Sequence, residues 1–261
     1  MDQRCCRRLR KILLGLMATI LLTACVTETN DRLAQNRDPE KAARTYVEVG
    51  IGYMQRRQMS NANRSLKRAQ ELAPEDPSVN NALALFYNME GEQDEAERYF
   101  KKALQYDESF SQARNNYAVF LFENKRYQEA VTQLEKVTKD FRYPRRYTAF
   151  ENLGICYLRL GDVALAKKAF NRALQLNPNQ AVSLLELAEI AFNEGDHPLA
   201  ARYLALYESV AKPSPRQLWL GIRLQREQGD KDKVASYELA LKNMFPKSEE
   251  YRALKASKEQ P

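Results

Sequence analysis

The chain has 261 residues, four cysteines, one histidine and a formal net charge of +7. Five basic residues lie in its first eleven positions, in a segment predicted to be removed, so the mature chain is only mildly basic and nucleic-acid binding is disfavoured. Because His197 is the only histidine, and no clustered metal ligands, nucleophile with a base or glycine-rich phosphate loop is readable, we expect no enzyme activity, metal, cofactor or small-molecule substrate.

Residues 1–24 are predicted to be a lipoprotein signal peptide. A basic start precedes the apolar run 12–22, which is too short to span a bilayer as a stable helix. The sequence Leu-Thr-Ala-Cys that follows, ending at Cys25, resembles the lipobox of bacterial lipoproteins. That resemblance implies that Cys25 is lipidated and becomes the first mature residue. Several acyl chains anchor a protein stably, whereas one chain binds only marginally.

The segment 25–39 is predicted to be a flexible tether, because it has too little apolar character to pack. Val26 follows the lipidated cysteine where an aspartate would favour inner-membrane retention in bacterial lipoproteins. This similarity to sorting signals implies a protein anchored by lipid in the outer membrane and facing the periplasm. Cys156 is the one other cysteine of the mature chain, and we interpret it as a buried small apolar residue.

From residue 40 onward, one pattern of apolar and small residues recurs about every 34 residues. Small residues occur where two helices touch, and larger apolar ones where helix pairs meet. The first copy is complete and is carried by Tyr46, Val49, Gly50, Tyr53, Ala62, Leu66, Ala69 and Pro74. This is typical of tetratricopeptide repeats, and predicts an all-α superhelical solenoid over 40–261 with about six helix pairs. The repeats are placed near 43–76, 77–110, 111–144, 147–180, 181–214 and 215–248.

Turn residues agree with this register. Prolines follow the second helix of several repeats, whereas Glu108 takes that place in the second repeat. The sixth copy is degraded, as a terminal cap would be. Extra residues between the third and fourth copies make the aromatic and basic loop from Phe141 to Tyr147 a candidate secondary site. Glycines that tolerate a left-handed helix end occur at the same point of four repeats, namely Gly91, Gly161, Gly195 and Gly229.

Helix A, the first helix of each repeat, is expected to line a concave groove with the side chains that the repeat pattern leaves free. The candidate partner-binding residues are Val47, Ile51, Met54, Leu85, Trp219 and Arg223. The apolar stripe of the first repeat is either a groove for a partner helix or strand, or core. On the groove interpretation, charged replacements there weaken binding without unfolding the chain. Trp219 with its arginines has the composition of a binding hot spot, or covers the end of the array.

The combination of lipobox, repeat count and the ending Phe-Pro-Lys-Ser at 245–248 resembles the PilF/PilW family of type IV pilus biogenesis proteins. The resemblance spans almost the whole chain. It implies a pilotin, a lipoprotein that binds secretin subunits and promotes their localisation to the outer membrane and their multimerisation there. A second interpretation keeps the fold and the anchor, and makes the chain an adaptor for peptidoglycan hydrolases or for outer-membrane protein assembly.

Overall fold

A computed structural model describes residues 38–259, which form 13 α-helices and no strand. The predicted signal peptide, Cys25 and almost all of the tether lie outside the described residues. Within the described part of the chain, no helix combines the length and the apolar character needed to cross a membrane. The described residues divide into two compact units, 38–92 and 93–259.

The described part of the N-terminal unit contains three helices. They are α1 (Pro39–Gln55), α2 (Met59–Leu72) and α3 (Pro77–Glu90). Helices α1 and α2 pack against each other, and both contact α3. Asp38 and Asp76 cap α1 and α3 by accepting hydrogen bonds from free backbone N–H groups of the first turn. Proline occupies the first position of both helices, where no backbone donor is needed.

The C-terminal unit contains ten helices among its described residues. Helices α5 and α6, α7 and α8, α9 and α10, and α11 and α12 pack as successive hairpins. The ten are α4 (Gln93–Tyr106), α5 (Ser111–Glu123), α6 (Tyr127–Thr138), α7 (Arg146–Arg159), α8 (Val163–Leu176), α9 (Ala181–Asn193), α10 (His197–Val210), α11 (Pro215–Gln228), α12 (Lys231–Met244) and α13 (Glu249–Glu259).

Small residues stand where the two helices of a pair approach most closely, as predicted. A Cβ atom placed on Gly50 would lie 2.7 Å from Leu66, and one on Gly154 would lie 2.6 Å from Phe170. Both distances are shorter than packed side chains tolerate, so a larger residue would force the helices apart. In the pairs that lie within one unit, the matching positions of the second helices include fully buried alanines, namely Ala62, Ala130, Ala166 and Ala200.

The turn after helix A has the same backbone conformation in all six repeats. The four predicted glycines adopt positive φ angles between 74° and 83°. Arg57 and Lys125 stand at the equivalent points of the first and third repeats, with φ of 56° and 61°. The repeat therefore requires a left-handed residue here whether or not glycine is present, and a residue with a Cβ adopts it at a cost.

Helix α13 lies beyond the last repeat that the sequence pattern predicts, in residues that the pattern leaves as a tail after 248. It contacts α11 and α12 and closes the last hairpin of the described chain. Leu254 is buried in a cluster with Leu218, Ile222 and Leu241, and Tyr251 packs against the same cluster. An eleven-residue helix with a single buried leucine is too short to show a clear periodic pattern.

Replacing Lys125 by glycine should stabilise the protein, because glycine adopts the left-handed conformation without a steric penalty. We expect a gain of about 0.5–1 kcal/mol in the free energy of unfolding, since the larger entropy of glycine in the unfolded chain offsets part of the relief. Urea denaturation followed by circular dichroism measures it. Lys125→Ala is the matched control and should bring no gain, because it keeps the Cβ. Equal gains from both variants would contradict the strain argument.

Two glycine-to-alanine changes should have opposite effects. Gly154→Ala places a methyl group against Phe170, and we expect a loss of about 1–3 kcal/mol. Gly52 lies within α1, and a Cβ added to it would have no neighbouring atom within 4 Å, so Gly52→Ala should gain about 0.5–1 kcal/mol from helix propensity alone. Thermal unfolding of the two variants beside the parent chain tests both. If Gly154→Ala caused no loss of stability, the helix pair would be able to move apart enough to accept the methyl group.

Candidate functional site

The apolar stripe of the first repeat is partly covered. Val47 and Met54 are buried, whereas Ile51 and Leu85, on α1 and α3, are half-buried. These positions fit the core interpretation for Val47 and Met54, and leave Ile51 and Leu85 as the side chains that a partner can reach directly. The role of all four in partner binding stays a prediction.

Burial changes one expectation drawn from the sequence. Charged replacements at Val47 or Met54 cannot leave the fold intact, because the new charge would lose its hydration without gaining a partner. Only Ile51 of this stripe remains a position at which binding and folding can be separated. The sequence pattern does not distinguish Ile51 from the buried Val47 and Met54, because accessible and buried apolar side chains recur with the same helical spacing.

A groove of about 250 Å³ opens between α5 and α7 of the C-terminal unit. Val119, Phe122 and Ile155 supply its apolar walls. Cys156 also lines it, and is 1% exposed as a residue, which confirms the prediction of a buried cysteine. Burial raises the pKa of the Cys156 thiol to about 12, so the group is protonated at neutral pH and is a poor nucleophile.

Polar side chains tie neighbouring A helices together beside this groove. The Asn152 Nδ2 group donates to Asn115 Oδ1 at 3.2 Å, linking α7 to α5. Glu151 Oε2 accepts hydrogen bonds from the backbone N–H and the hydroxyl of Ser183 at 3.1 and 2.8 Å, linking α7 to α9. Burial raises the pKa of Glu151, and the hydrogen bonds from Ser183 partly oppose that shift. These contacts fix the relative positions of the A helices.

Arg216 joins α11 to α9 through two carboxylates. Its Nη1 lies 2.9 Å from Glu186 Oε1, and its Nη2 lies 2.8 Å from Glu189 Oε2. Its Nε also donates to Glu189 Oε1 at 3.2 Å, so the pairing with Glu189 is bidentate. Hydrogen bonds to the two carboxylates raise the pKa of Arg216 against the opposing effect of its burial. Arg216 therefore pairs with both carboxylates, although its single positive charge balances only one of their two negative charges.

Arg223 lies further along α11, near two aromatic rings. Its guanidinium carbon is 4.7 Å from the centre of the Phe192 ring and 5.9 Å from that of Trp219. These distances are typical of cation–π contacts. No described residue forms an ion pair with Arg223, and its buried Nε has no hydrogen-bond partner there. Burial lowers the pKa of this guanidinium, and the charge of Glu189 partly opposes that effect.

Trp219 combines the two roles considered for it. It packs against the buried cluster that α13 completes, so it contributes to the covered end of the hairpin. It also stands beside Arg223 and beside Arg226, whose guanidinium carbon lies 6.0 Å from the ring centre. Arg226 in turn pairs with Glu238 at 3.0 Å. Trp219 thus packs against this buried cluster and contacts Arg223 and Arg226.

The loop between α6 and α7 carries an exposed aromatic side chain. Phe141 is 82% exposed, and the guanidinium carbon of Arg146 lies 4.4 Å from its ring centre. Asp140 accepts a hydrogen bond from the Ser111 hydroxyl at 2.7 Å, which fastens one end of the loop to α5. The loop from Phe141 to Tyr147 remains a predicted secondary site.

Residues 38–259 do not bring metal ligands together. No group of three or more histidine, cysteine, aspartate or glutamate side chains that could hold a metal ion occurs among them. His197 begins α10 and stacks on Phe192, with ring centres 5.3 Å apart. The features that remain are surfaces of packed helices, which bind other molecules by shape, apolar contact and charge.

Sequence comparison identifies the repeats and a relative of nearly the same length. Tetratricopeptide repeat models match residues 50–109, 121–181 and 157–215, and a second model of that name matches 88–150. The type IV pilus assembly protein PilF of Pseudomonas aeruginosa is 37% identical over 238 residues, which are 91% of this chain and 94% of PilF. The chain belongs to the PilF/PilW family of tetratricopeptide repeat proteins.

Solved structures of this family agree with the fold. A structure of Pseudomonas aeruginosa PilF has a TM-score of 0.80 and 36% identity, covering 85% of this chain and all of that one. PilW, described as a widely conserved type IV pilus biogenesis factor, has a TM-score of 0.72 and 27% identity, covering 81% of this chain and 97% of PilW. The predicted all-α tetratricopeptide repeat fold is confirmed.

Two groove residues of this PilF/PilW family member, Val119 and Ile155, lie at positions that the repeat spacing predicts to line the groove, although the six candidate partner-binding residues do not include them. They occupy the same register position as Ile51 and Leu85, so the spacing of the repeats is the signal that locates them. The pairing of Arg216 with two glutamates cannot be read in the same way. It depends on side chains from two helices that meet only in the folded chain.

Replacing Arg216 by glutamine should destabilise this family member by about 1–3 kcal/mol, because two adjacent carboxylates then lack their cation. Urea denaturation at neutral pH measures the loss. The double variant Arg216→Gln, Glu189→Gln removes one of the stranded charges and should lose less than the sum of the single changes. Strict additivity would show that the pairing contributes nothing to stability.

Proposed function

We propose that this chain is an outer-membrane lipoprotein that acts as a pilotin in type IV pilus biogenesis. It binds secretin subunits through its repeats, and promotes their localisation to the outer membrane and their multimerisation there. The observation that carries the proposal is the similarity to the type IV pilus assembly protein PilF along nearly the full length of both chains. The similarity of fold to PilW, a type IV pilus biogenesis factor, supports it.

The physical requirements of the task match the features of the chain. A secretin subunit before assembly exposes apolar surface and unpaired strand edges, which must be kept from aggregating. Stacked helix pairs offer an extended surface on which such a segment can be held. Lipidation at Cys25 would bring the bound subunit to the membrane in which it assembles. Sorting and protection then follow from a single binding event.

The same proposal assigns no catalytic step to the chain. The described surfaces carry hydrogen-bonded carboxylates, paired arginines and a protonated buried cysteine. These groups stabilise helix contacts, and the Ser183 hydroxyl that donates to Glu151 is fully buried, out of reach of a substrate. Binding and release of a protein partner is the activity to be measured.

The decisive experiment recovers partners from native outer membranes by affinity tag, crosslinking and mass spectrometry. The proposal expects secretin subunits as the main partner of the parent chain, and mislocalised or unassembled secretin in a Cys25→Ser strain. Cys6→Ser is the matched control, because it makes the same substitution inside the predicted signal peptide and spares the lipidation site.

Recovery of peptidoglycan hydrolases or of outer-membrane assembly components in place of secretin would assign the chain to the adaptor class. In a deletion strain, loss of heat-resistant secretin multimers supports the pilotin, whereas altered cell shape supports the hydrolase adaptor. A secretin that assembles normally without this chain would overturn the proposal.

Ile51→Asp should weaken recovery of the partner while the protein stays folded. Ile51 is half-buried on α1, and an aspartate there would oppose an apolar partner side chain, for which we expect about a tenfold weaker affinity. Val49→Asp is the matched control, since Val49 lies on another face of α1 and is already 43% exposed. Binding titrations with thermal unfolding of each variant separate the two effects. Equal weakening by both aspartates would remove Ile51 from the binding surface.

A further inference from the structure

Arg223 differs from two other arginines of α11, Arg216 and Arg226. Arg216 holds two carboxylates, and Arg226 lies 3.0 Å from Glu238. Arg223 has no ion pair within the part of the chain that the structure describes. A guanidinium is always charged at physiological pH, so Arg223 carries a positive charge with no direct ion pair among the described residues.

The surroundings of Arg223 make that charge costly in the absence of a partner. Phe192 and Trp219 border the guanidinium, and its Nε is buried without an acceptor among the described residues. Cation–π contacts stabilise the guanidinium less than a direct counter-charge does. Glu189 acts on Arg223 only at a distance, since Arg216 already occupies both of its oxygens. A partially dehydrated cation of this kind binds an incoming anion strongly.

The position of Arg223 in the repeat relates it to the apolar groove. Val119 and Ile155 line the groove between α5 and α7 and stand at one register position of their helices. The same position is occupied by Glu189 on α9 and by Arg223 on α11. Along the A helices of the C-terminal unit, this position is apolar on α5 and α7, is Glu189 paired with Arg216 on α9, and is Arg223 on α11, which forms no ion pair with a described residue.

We propose that Arg223 binds the carboxylate of an acidic residue in a peptide segment of the protein partner, near the rings of Phe192 and Trp219. Apolar side chains of the same segment contact Val119 and Ile155. The charge of Arg223 and the planar, bidentate geometry of a guanidinium suit a carboxylate. The combination of arginine and tryptophan is the one found where single residues dominate binding. This inference rests on the proposed function only in taking the partner to be a protein.

A peptide fits these observations better than an anionic lipid surface does. Attraction to a charged bilayer grows with the number of free cations at the surface. At this site Arg216 and Arg226 are already paired, which leaves the Arg223 guanidinium beside apolar and aromatic side chains. One acidic group within an otherwise apolar segment matches that arrangement.

The first test uses an array of short peptides with randomised sequence, probed with the whole mature chain and with its Arg223→Met variant. We expect peptides retained by the parent chain to be enriched in aspartate or glutamate beside apolar residues, and the variant to lose the acidic preference. Acidic residues that are not enriched, or an enrichment that Arg223→Met leaves unchanged, would overturn the proposal.

The second test uses Trp219, the only tryptophan of the chain, as a reporter within the site. Titration with a retained glutamate peptide should change its fluorescence, and the same peptide with glutamine should bind at least about tenfold more weakly. Arg223→Met should abolish this difference, and Arg223→Lys should keep part of it because the charge remains. Arg202→Met, on the exposed surface of α10, is the matched control and should bind like the parent chain.

Thermal unfolding shows whether Arg223→Met is folded. If it is not, the peptide comparison in the parent chain and in Arg223→Lys still decides the matter. A fluorescence change with phosphatidylglycerol vesicles, and none with glutamate peptides, would overturn the assignment to a peptide. Recovery of secretin from membranes is a separate measurement, so a chain that prefers acidic peptides but recovers no secretin would contradict the proposed function and leave the Arg223 site in place.

Discussion

The close approach of the two helices in each pair is the constraint on which the rest of the structure depends. At Gly50 and Gly154 there is no room for a Cβ, and the facing helices supply fully buried alanines. Dispersion and apolar burial stabilise such contacts only when the helix axes are close enough for the side chains to pack without gaps. Once the pair is closed, the next helix can bury its own apolar side chains only against its neighbours, so the array extends by stacking.

Stacking gives each helix A a face that does not pack within its own pair. This face carries the apolar positions and Arg223, on which the proposed binding depends. One register position places Ile51, Leu85, Val119 and Ile155 in successive repeats, and then changes to Glu189 and Arg223. In the described part of the C-terminal unit, the glutamate is paired by Arg216 while Arg223 has no ion pair. The packing thus repeats from one helix pair to the next while the side chains at this position differ, and such differences are what the proposed binding of one partner requires.

Most of the fold could be read from the sequence because packing dictates it locally. The alanines at close contacts and the glycines after helix A are constraints of geometry, and they recur at a fixed interval. Helix α13 could not be predicted from the sequence, since a single buried leucine does not produce a periodic pattern of apolar residues. The candidate site was harder to predict. Val47 and Ile51 are both aliphatic and lie on the same stripe of α1, yet Val47 is buried and Ile51 is half-buried. Whether Arg223 forms an ion pair depends on the conformations of side chains on several helices. The spacing of the repeats does not predict those conformations.

The left-handed residue after helix A also bears on motion. Four turns meet this requirement with glycine, whereas Arg57 and Lys125 meet it under strain, in the hairpins α1–α2 and α5–α6. Local opening is governed by the stability of each segment rather than by that of the whole chain. The strain is therefore distributed unevenly along an array whose packing is regular. One of these turns, at Lys125, follows directly the helix that supplies Val119 and Phe122 to the apolar groove, so the proposed binding surface adjoins one of the two strained turns.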